Sequence, residues 1–245
     1  MKQALLIGIN YKGSTGELNG CINDVVKVRE YLMTKGYKDE NIIICTEETN
    51  VKPTRTSILR LLSQLVFSDS STLYFHYSGH GSYITDSDGD ELDGKDECLV
   101  PLDYQISGMI TDDNIRSIFS LMDPGKHLNI VLDCCHSGTG IDLGYNLYKR
   151  LRSYCMVRDN NYPITKSSII MISGCQDVQT SADAYIDGKY QGALTNAYIK
   201  VMSENARTYE QLINRIRTIL EEGEFDQLPN LSSGKPLNLK SKIII

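Results

Sequence analysis

Two short stretches carry residue types able to do nucleophilic chemistry. The first is Tyr77-Ser78-Gly79-His80-Gly81-Ser82; the second is Val131-Leu132-Asp133-Cys134-Cys135-His136-Ser137-Gly138. Each begins as an apolar run and breaks into small, polar and reactive residues, the way a strand of an α/β sheet presents groups at its C-terminal end. A thiol with its ordinary pKa of about 8.5 is only partly ionised at neutral pH, so a nearby imidazole can activate it or protonate a leaving amine. Cys135 reads as a nucleophile and His80 as its base, and main-chain N–H groups of Gly81 and Cys135 are candidates to hold a developing oxyanion. Taken singly, each has a structural reading: a His after a strand stabilises a turn, and a Cys at a strand end behaves as a small hydrophobe. Two such breaks, each flanked by Gly and Ser, favour the chemical reading. His136 adjoins Cys135 and points away from it along an extended chain. Cys134 also faces away and reads as core, while His76 and His127 read as structural.

The elements that must position these groups follow from periodicity. Apolar runs predict strands at 4–9, 41–45, 72–78, 128–133 and 167–173, with a last strand at 243–245. Helices are expected after Asn23 as cap (Val25, Val28, Leu32), after Thr54 (Ile58, Leu61, Leu62, Leu65), after Thr111 (Ile115, Ile118, Phe119), over 192–202, and after the capping box Thr208-Tyr209-Glu210-Gln211. Residues 144–166 show turn signals, basic side chains and no period, and read as a linker. Strands alternating with helices imply an α/β fold, a largely parallel sheet with helices on both faces, in one domain over 1–245.

Composition narrows the function classes. The 245 residues are 41% hydrophobic and 23% charged with a net charge of −6, which argues against nucleic acid as the main partner. The basic run Lys149-Arg150-Leu151-Arg152 is too short to follow a phosphate backbone. No apolar run approaches a membrane span, and Met1-Lys2-Gln3 leads directly into a strand and not a signal peptide. Seven cysteines, several inside predicted elements, fit a reducing compartment better than a disulfide framework. A cytoplasmic protein with no membrane partner is expected. Adjacent Cys134 and Cys135 lack zinc-site spacing.

The His and Cys stretches together resemble the catalytic motifs of metacaspases, caspase-like cysteine peptidases. Gly20-Cys21-Ile22-Asn23-Asp24, Asp96-Glu97-Cys98-Leu99-Val100-Pro101, Ile110-Thr111-Asp112-Asp113, the run from Ser173 to Asp183, and the run from Gln227 to Ser233 extend the likeness over nearly the whole chain. The resemblance implies a caspase-like fold, His80 as catalytic base and Cys135 as nucleophile. It also implies cleavage of extended proteins or peptides after Arg or Lys, the substrate adding to a sheet edge. A cationic P1 side chain needs carboxylates in its pocket. Asp24 and Asp133 match the family's pocket acids, with Cys21 and Ser78 lining the pocket. Asp24 also suits the first turn of a helix and Asp133 the cap of a loop. Two such acids argue against an Asp-directed pocket.

Calcium is expected as an activating cofactor, since many metacaspases respond to it through acids matching Asp96, Asp112, Asp113 and Asp142; Asp112 and Asp113 are equally at home in a helix first turn. The denser acidic run from Asp86 to Glu97 imitates EF-hand spacing at Asp86, Asp88, Asp90 and Glu97, but Glu91 stands where the turn Gly belongs and flanking helices are lacking, so it reads as a solvated hairpin. If the enzyme cuts after basic residues, Lys149 or Arg150 in the linker is an autoprocessing site. With its first strand expected at the start, the chain reads as a bare catalytic domain without the prodomain of many metacaspases, and a monomer is expected. The alternative is a non-proteolytic caspase-like scaffold or calcium-responsive interaction module, which loss of His80 or Cys135 would have signalled.

Overall fold

The computed structural model describes residues 1–85, 94–135, 141–149, 154–174, 183–186, 188–204 and 206–245. In chain order these form β1 (Lys2–Gly8), α1 (Cys21–Thr34), β2 (Ile42–Thr46), α2 (Arg55–Val66), β3 (Thr72–Ser78), β4 (Gly81–Thr85), β5 (Lys95–Leu99), α3 (Tyr104–Ser107), β6 (Ile110–Thr111), α4 (Asp112–Ser120), β7 (His127–Asp133), β8 (Tyr145–Lys149), β9 (Tyr154–Arg158), β10 (Ser168–Ser173), β11 (Asp183–Ile186), β12 (Lys189–Gly192), α5 (Ala193–Ser203), α6 (Tyr209–Glu222) and β13 (Asn230–Ser233).

Eight strands form one sheet in the order β2-β1-β3-β7-β10-β13-β8-β9. The first five are mutually parallel, and β13, β8 and β9 complete the sheet antiparallel. Neighbouring side chains on a strand face opposite ways, so each apolar run supplies two cores. Ala4, Leu6, Tyr74, Val131, Ile170 and Ile172 pack with α1, α5 and α6. Leu5, Ile7, Leu73, Phe75, Leu128, Ile130, Leu132 and Met171 pack with α2 and α4 on the other face. That double burial is why the central strands read as continuous hydrophobic runs. A smaller sheet, β4-β5-β6, and the hairpin β11-β12 stand beside the main one.

Three helix starts are fixed by threonine caps: Thr54 accepts from Ser57 N–H, Thr111 from Asn114 N–H and Thr208 from Gln211 N–H. Gln211 returns its side chain to the N–H of Arg207, one residue before the cap. Helix α1 departs from expectation. It begins at Cys21 with Gly20 as cap, which carries Asp24 into its first turn.

Two other expectations need correction. The stretch 144–166 is not all linker: β8 and β9 form a hairpin that extends the main sheet. The last strand is β13, and 243–245 is not a strand. Ile243 and Ile245 instead pack against the core shared by α5 and α6, and Ile243 N–H bonds Arg207 O.

His76 lies fully buried in β3, with neither ring nitrogen hydrogen-bonded among the described residues. Burial pushes its pKa down to about 3. Its folded value is depressed below the unfolded one of about 6.5, so the unfolded chain binds the extra proton first as pH falls. Stability is therefore full above pH ~6.5 and erodes below it, by up to about 1.4 kcal/mol per pH unit. His76→Leu is expected to flatten the fall in melting temperature between pH 6.5 and 4.5; an unchanged slope would assign the acid sensitivity to other groups.

Candidate functional site

The last rung joining β3 to β7 pairs Ser78 with Asp133. His80 lies two residues beyond Ser78 and Cys135 two residues beyond Asp133, so both leave the same sheet edge at matching offsets. The chain stays close there: Gly79 N–H points to Asp133 O at 3.4 Å. A Cβ at Gly81 would overlap the Cys135 carbonyl oxygen and come within 3.3 Å of Cys134 Sγ. Only glycine permits that approach. Cys134 is buried in the α2/α4 core, whereas Cys135 is partly exposed. The described cysteines form no disulfide.

His80 is held at ring and backbone. Its Nε2 lies 2.6 Å from the carbonyl oxygen of Gly16. A carbonyl can only accept, so Nε2 carries the proton and Nδ1 is the basic nitrogen of the neutral ring. The ring centroid lies 4.7 Å from that of Tyr11. His80 N–H donates to Tyr11 Oη (3.0 Å), Tyr11 Oη donates to Val100 O (2.6 Å), and Tyr77 Oη donates to His80 O (2.8 Å). Burial drives both phenols well above their ordinary pKa, so they remain neutral hydrogen-bonding groups. Tyr11 adopts φ 51°, unusual for a residue with a side chain. Sequence reasoning passed over Tyr11, Tyr77 and Gly16. Tyr77 reads as one more apolar strand residue, and a main-chain acceptor leaves no residue-type signal.

Beside this pair four of the expected pocket residues come together. Asp24, fully buried, accepts from Ser78 Oγ (2.7 Å) and from Gly192 N–H (3.0 Å to each oxygen). Asp133 Oδ2 accepts from Thr195 N–H (2.8 Å) and Thr195 Oγ1 (2.7 Å). Each of these donors is neutral. The two acids face the same glycine: a Cβ at Gly192 would overlap Asp133 Oδ2 and come within 2.7 Å of Asp24 Oδ2. Cys21 opens α1 one turn before Asp24, its N–H donating to Asn10 Oδ1 (3.0 Å). Gly192 and Thr195 are additions to the site; in the sequence they signal only a helix start.

A second cluster of acids lies on α4 and its neighbours. Glu97, Asp112 and Asp142, all buried, each place an oxygen within 4.8 Å of the others. Asp112 accepts from Glu97 N–H (3.0 Å) and Asp113 N–H (2.8 Å). Asp142 sits at φ 52°. Three carboxylate oxygens from separate segments are a donor set for a hard cation such as Ca²⁺. Of the expected ligands, Asp112 and Asp142 join this cluster; Asp96 and Asp113 are not part of it, and Glu97 stands in. Asp96 and Glu97 are consecutive in β5, so their side chains take opposite faces. The Asp113 carboxylate turns to Arg116. Lys149, exposed, is the last paired residue of β8, opposite Tyr154. Arg150, His136 and the acids Asp86, Asp88, Asp90 and Glu91 lie outside the described residues.

Among the described residues no helix is long and apolar enough to cross a membrane. The main sheet and its flanking helices match solved structures over almost their full length. A protein of Geobacter sulfurreducens aligns with TM-score 0.71 at 23% identity, covering 99% of this chain and 97% of that one. Caspase-1 from Spodoptera frugiperda aligns with TM-score 0.62 at 13% identity, covering 98% and 90%. The fold is therefore caspase-like. By sequence, the chain is 35% identical to Metacaspase-1 of Mycosarcoma maydis, over all of this chain and 73% of that protein. It is 36% identical to Metacaspase-1B of Aspergillus terreus, over 97% and 76%. The metacaspase peptidase C14 domain model matches residues 2–144, the span that contains His80, Cys135, Asp24 and Asp133. A caspase-like sheet, relatives that align over the whole of this chain and that domain match together make the chain a member of the metacaspase family of cysteine peptidases.

Proposed function

We propose that the protein is a calcium-activated endopeptidase that cleaves proteins after Arg or Lys with a Cys135–His80 dyad. The observation that carries this reading is the convergence of Asp24 and Asp133 on Gly192, beside the strand ends bearing His80 and Cys135. A guanidinium or ammonium entering there would meet two carboxylates already aligned by neutral donors, and would gain charge-assisted bonds that an acidic P1 residue forfeits.

The proposed steps use these groups. Nδ1 of His80 takes the Cys135 proton, while Gly16 O steadies the ring and stabilises its charged form. The thiolate attacks the scissile carbonyl, and N–H groups of Gly81 and Cys135 serve the oxyanion. His80 returns the proton to the leaving amine. It then draws one from water, whose oxygen attacks the thioester; the C–S bond breaks, the acid leaves, and the proton returns to Cys135 Sγ. Every group named comes from one chain, which suits a monomer. Calcium, held by Glu97, Asp112 and Asp142, would neutralise the buried acids and tie β5 and α4 to the chain beyond Cys135. Self-cleavage after Lys149 or Arg150 belongs to the same reading. Because β8 lies three strand positions from β7, roughly 14 Å away, that cut is expected between molecules.

Fluorogenic peptides ending in Arg, Lys or Asp, assayed with calcium and with chelator, test the proposal. Arg and Lys peptides should be cleaved in calcium, and chelator should slow them at least about tenfold, a coupling of roughly 1.4 kcal/mol. Preference for the Asp peptide would overturn the pocket assignment. Equal rates in chelator would overturn the calcium assignment.

A further inference from the structure

The acidic cluster already contains a cation. Arg116 lies one turn beyond Asp112 on α4, where i and i+4 side chains meet. Its Nη1 is 3.6 Å from Asp142 Oδ2, and its Nη2 pairs with Asp113 Oδ1. The guanidinium carbon lies 5.8 Å from the centre of the Tyr162 ring. The two ion pairs differ in environment. The Asp142 carboxylate is 1% exposed, that of Asp113 31%.

We propose that Arg116 is a tethered counter-cation for the cluster, and that a divalent cation binds by displacing it from Asp142. This rests on the reading of Glu97, Asp112 and Asp142 as a calcium site. Three buried carboxylates with oxygens within 4.8 Å repel one another, and a guanidinium, which cannot lose its proton, offsets part of that repulsion. Calcium brings twice the charge and draws oxygens to about 2.4 Å. A guanidinium left on Asp142 would then face a bound dication. Arg116 has somewhere to go, since Asp113 and the Tyr162 face can hold it without Asp142. Its preference for the metal-free state sets how much calcium is needed, because a ligand shifts an equilibrium only by its differential affinity for the two states. Arg116 is thus a positioning residue that sets the threshold and takes no part in the chemistry.

The test uses full-length protein carrying Cys135→Ala, so that self-cleavage cannot intervene, and measures calcium binding by titration calorimetry and melting temperature. Arg116→Gln should bind Ca²⁺ about tenfold more tightly, within the usual range of coupling between sites. It should also melt lower in chelator and gain more on adding calcium. Arg116→Lys, which keeps the charge but loses the planar fork, should fall between. Should Arg116→Gln fail to fold without metal, the lysine variant decides: a tighter Ca²⁺ constant supports the proposal and an unchanged one overturns it. Equal or weaker binding by Arg116→Gln, with binding abolished by Asp142→Asn, overturns the role of Arg116 and leaves the calcium site standing. No binding by any form, or binding indifferent to Asp142→Asn, overturns both.

Discussion

Cys135→Ala should lower kcat/KM for an Arg-terminated peptide by about 10⁴-fold or more, the loss seen when a nucleophile that acts as a unit with its base is removed. His80→Ala should cost a comparable factor, with a different pH signature. Without an imidazole, residual activity depends on spontaneous ionisation of the thiol and should climb as pH rises. The alanine at 135 removes that slope together with the rate. Neither replacement should unfold the protein, since Cys135 is partly exposed and the backbone of His80 keeps its bonds to Tyr11 and Tyr77 when the ring is removed. Measuring both variants across pH 6–9 with one peptide distinguishes the roles. Wild-type turnover by Cys135→Ala would move the nucleophile elsewhere, and a flat residual profile for His80→Ala would remove His80 from the proton path.

Asp24→Asn should weaken cleavage after Arg by roughly a hundredfold, about 3 kcal/mol, because a desolvated ion pair becomes a neutral contact. The amide keeps an oxygen for Ser78 Oγ and Gly192 N–H, so the fold should persist at a cost of about 1 kcal/mol. Substrates with a neutral P1 residue should change little. That contrast separates loss of a charge from collapse of the pocket, and a melting curve on the same sample guards the comparison. Equal losses for Arg and neutral P1 residues would show that Asp24 supports α1 and the β12 end without reading the substrate.

Much of this arrangement was open to reading because the central strands are buried on both faces. The runs at 4–9, 72–78, 128–133 and 167–173 announce themselves, and the reactive residues follow two of them. The β8–β9 hairpin was hidden because Tyr145–Lys149 is only partly buried and carries no apolar alternation of useful length. Strand β13 was hidden for a related reason: Asn230–Ser233 has one apolar residue, Leu231, and is held by backbone pairing to β10 and β8. In the acidic cluster the residue types were visible but their facing was not. Whether Asp96 or Glu97 turns toward Asp112 depends on the phase of a short strand, and a one-residue shift exchanges the faces. Gly16 and Tyr11 owe their place to loop geometry, which local pattern does not encode.

The distribution of the site along the chain carries a consequence for biosynthesis. His80 leads, Cys135 follows just past a strand that must seat between β3 and β10, and the donors to Asp24 and Asp133 come from Gly192 and Thr195 at the start of α5. A nascent chain that has emerged only as far as Cys135, just past β7, holds both reactive side chains and lacks the backbone that closes around Asp24 and Asp133. Such closures between sequence-distant segments come late in folding. On the proposed function, the pocket for a basic P1 residue is therefore incomplete until the start of α5 has been made. The order of synthesis would then itself delay cleavage, the reactive pair being made before the pocket that selects its substrate.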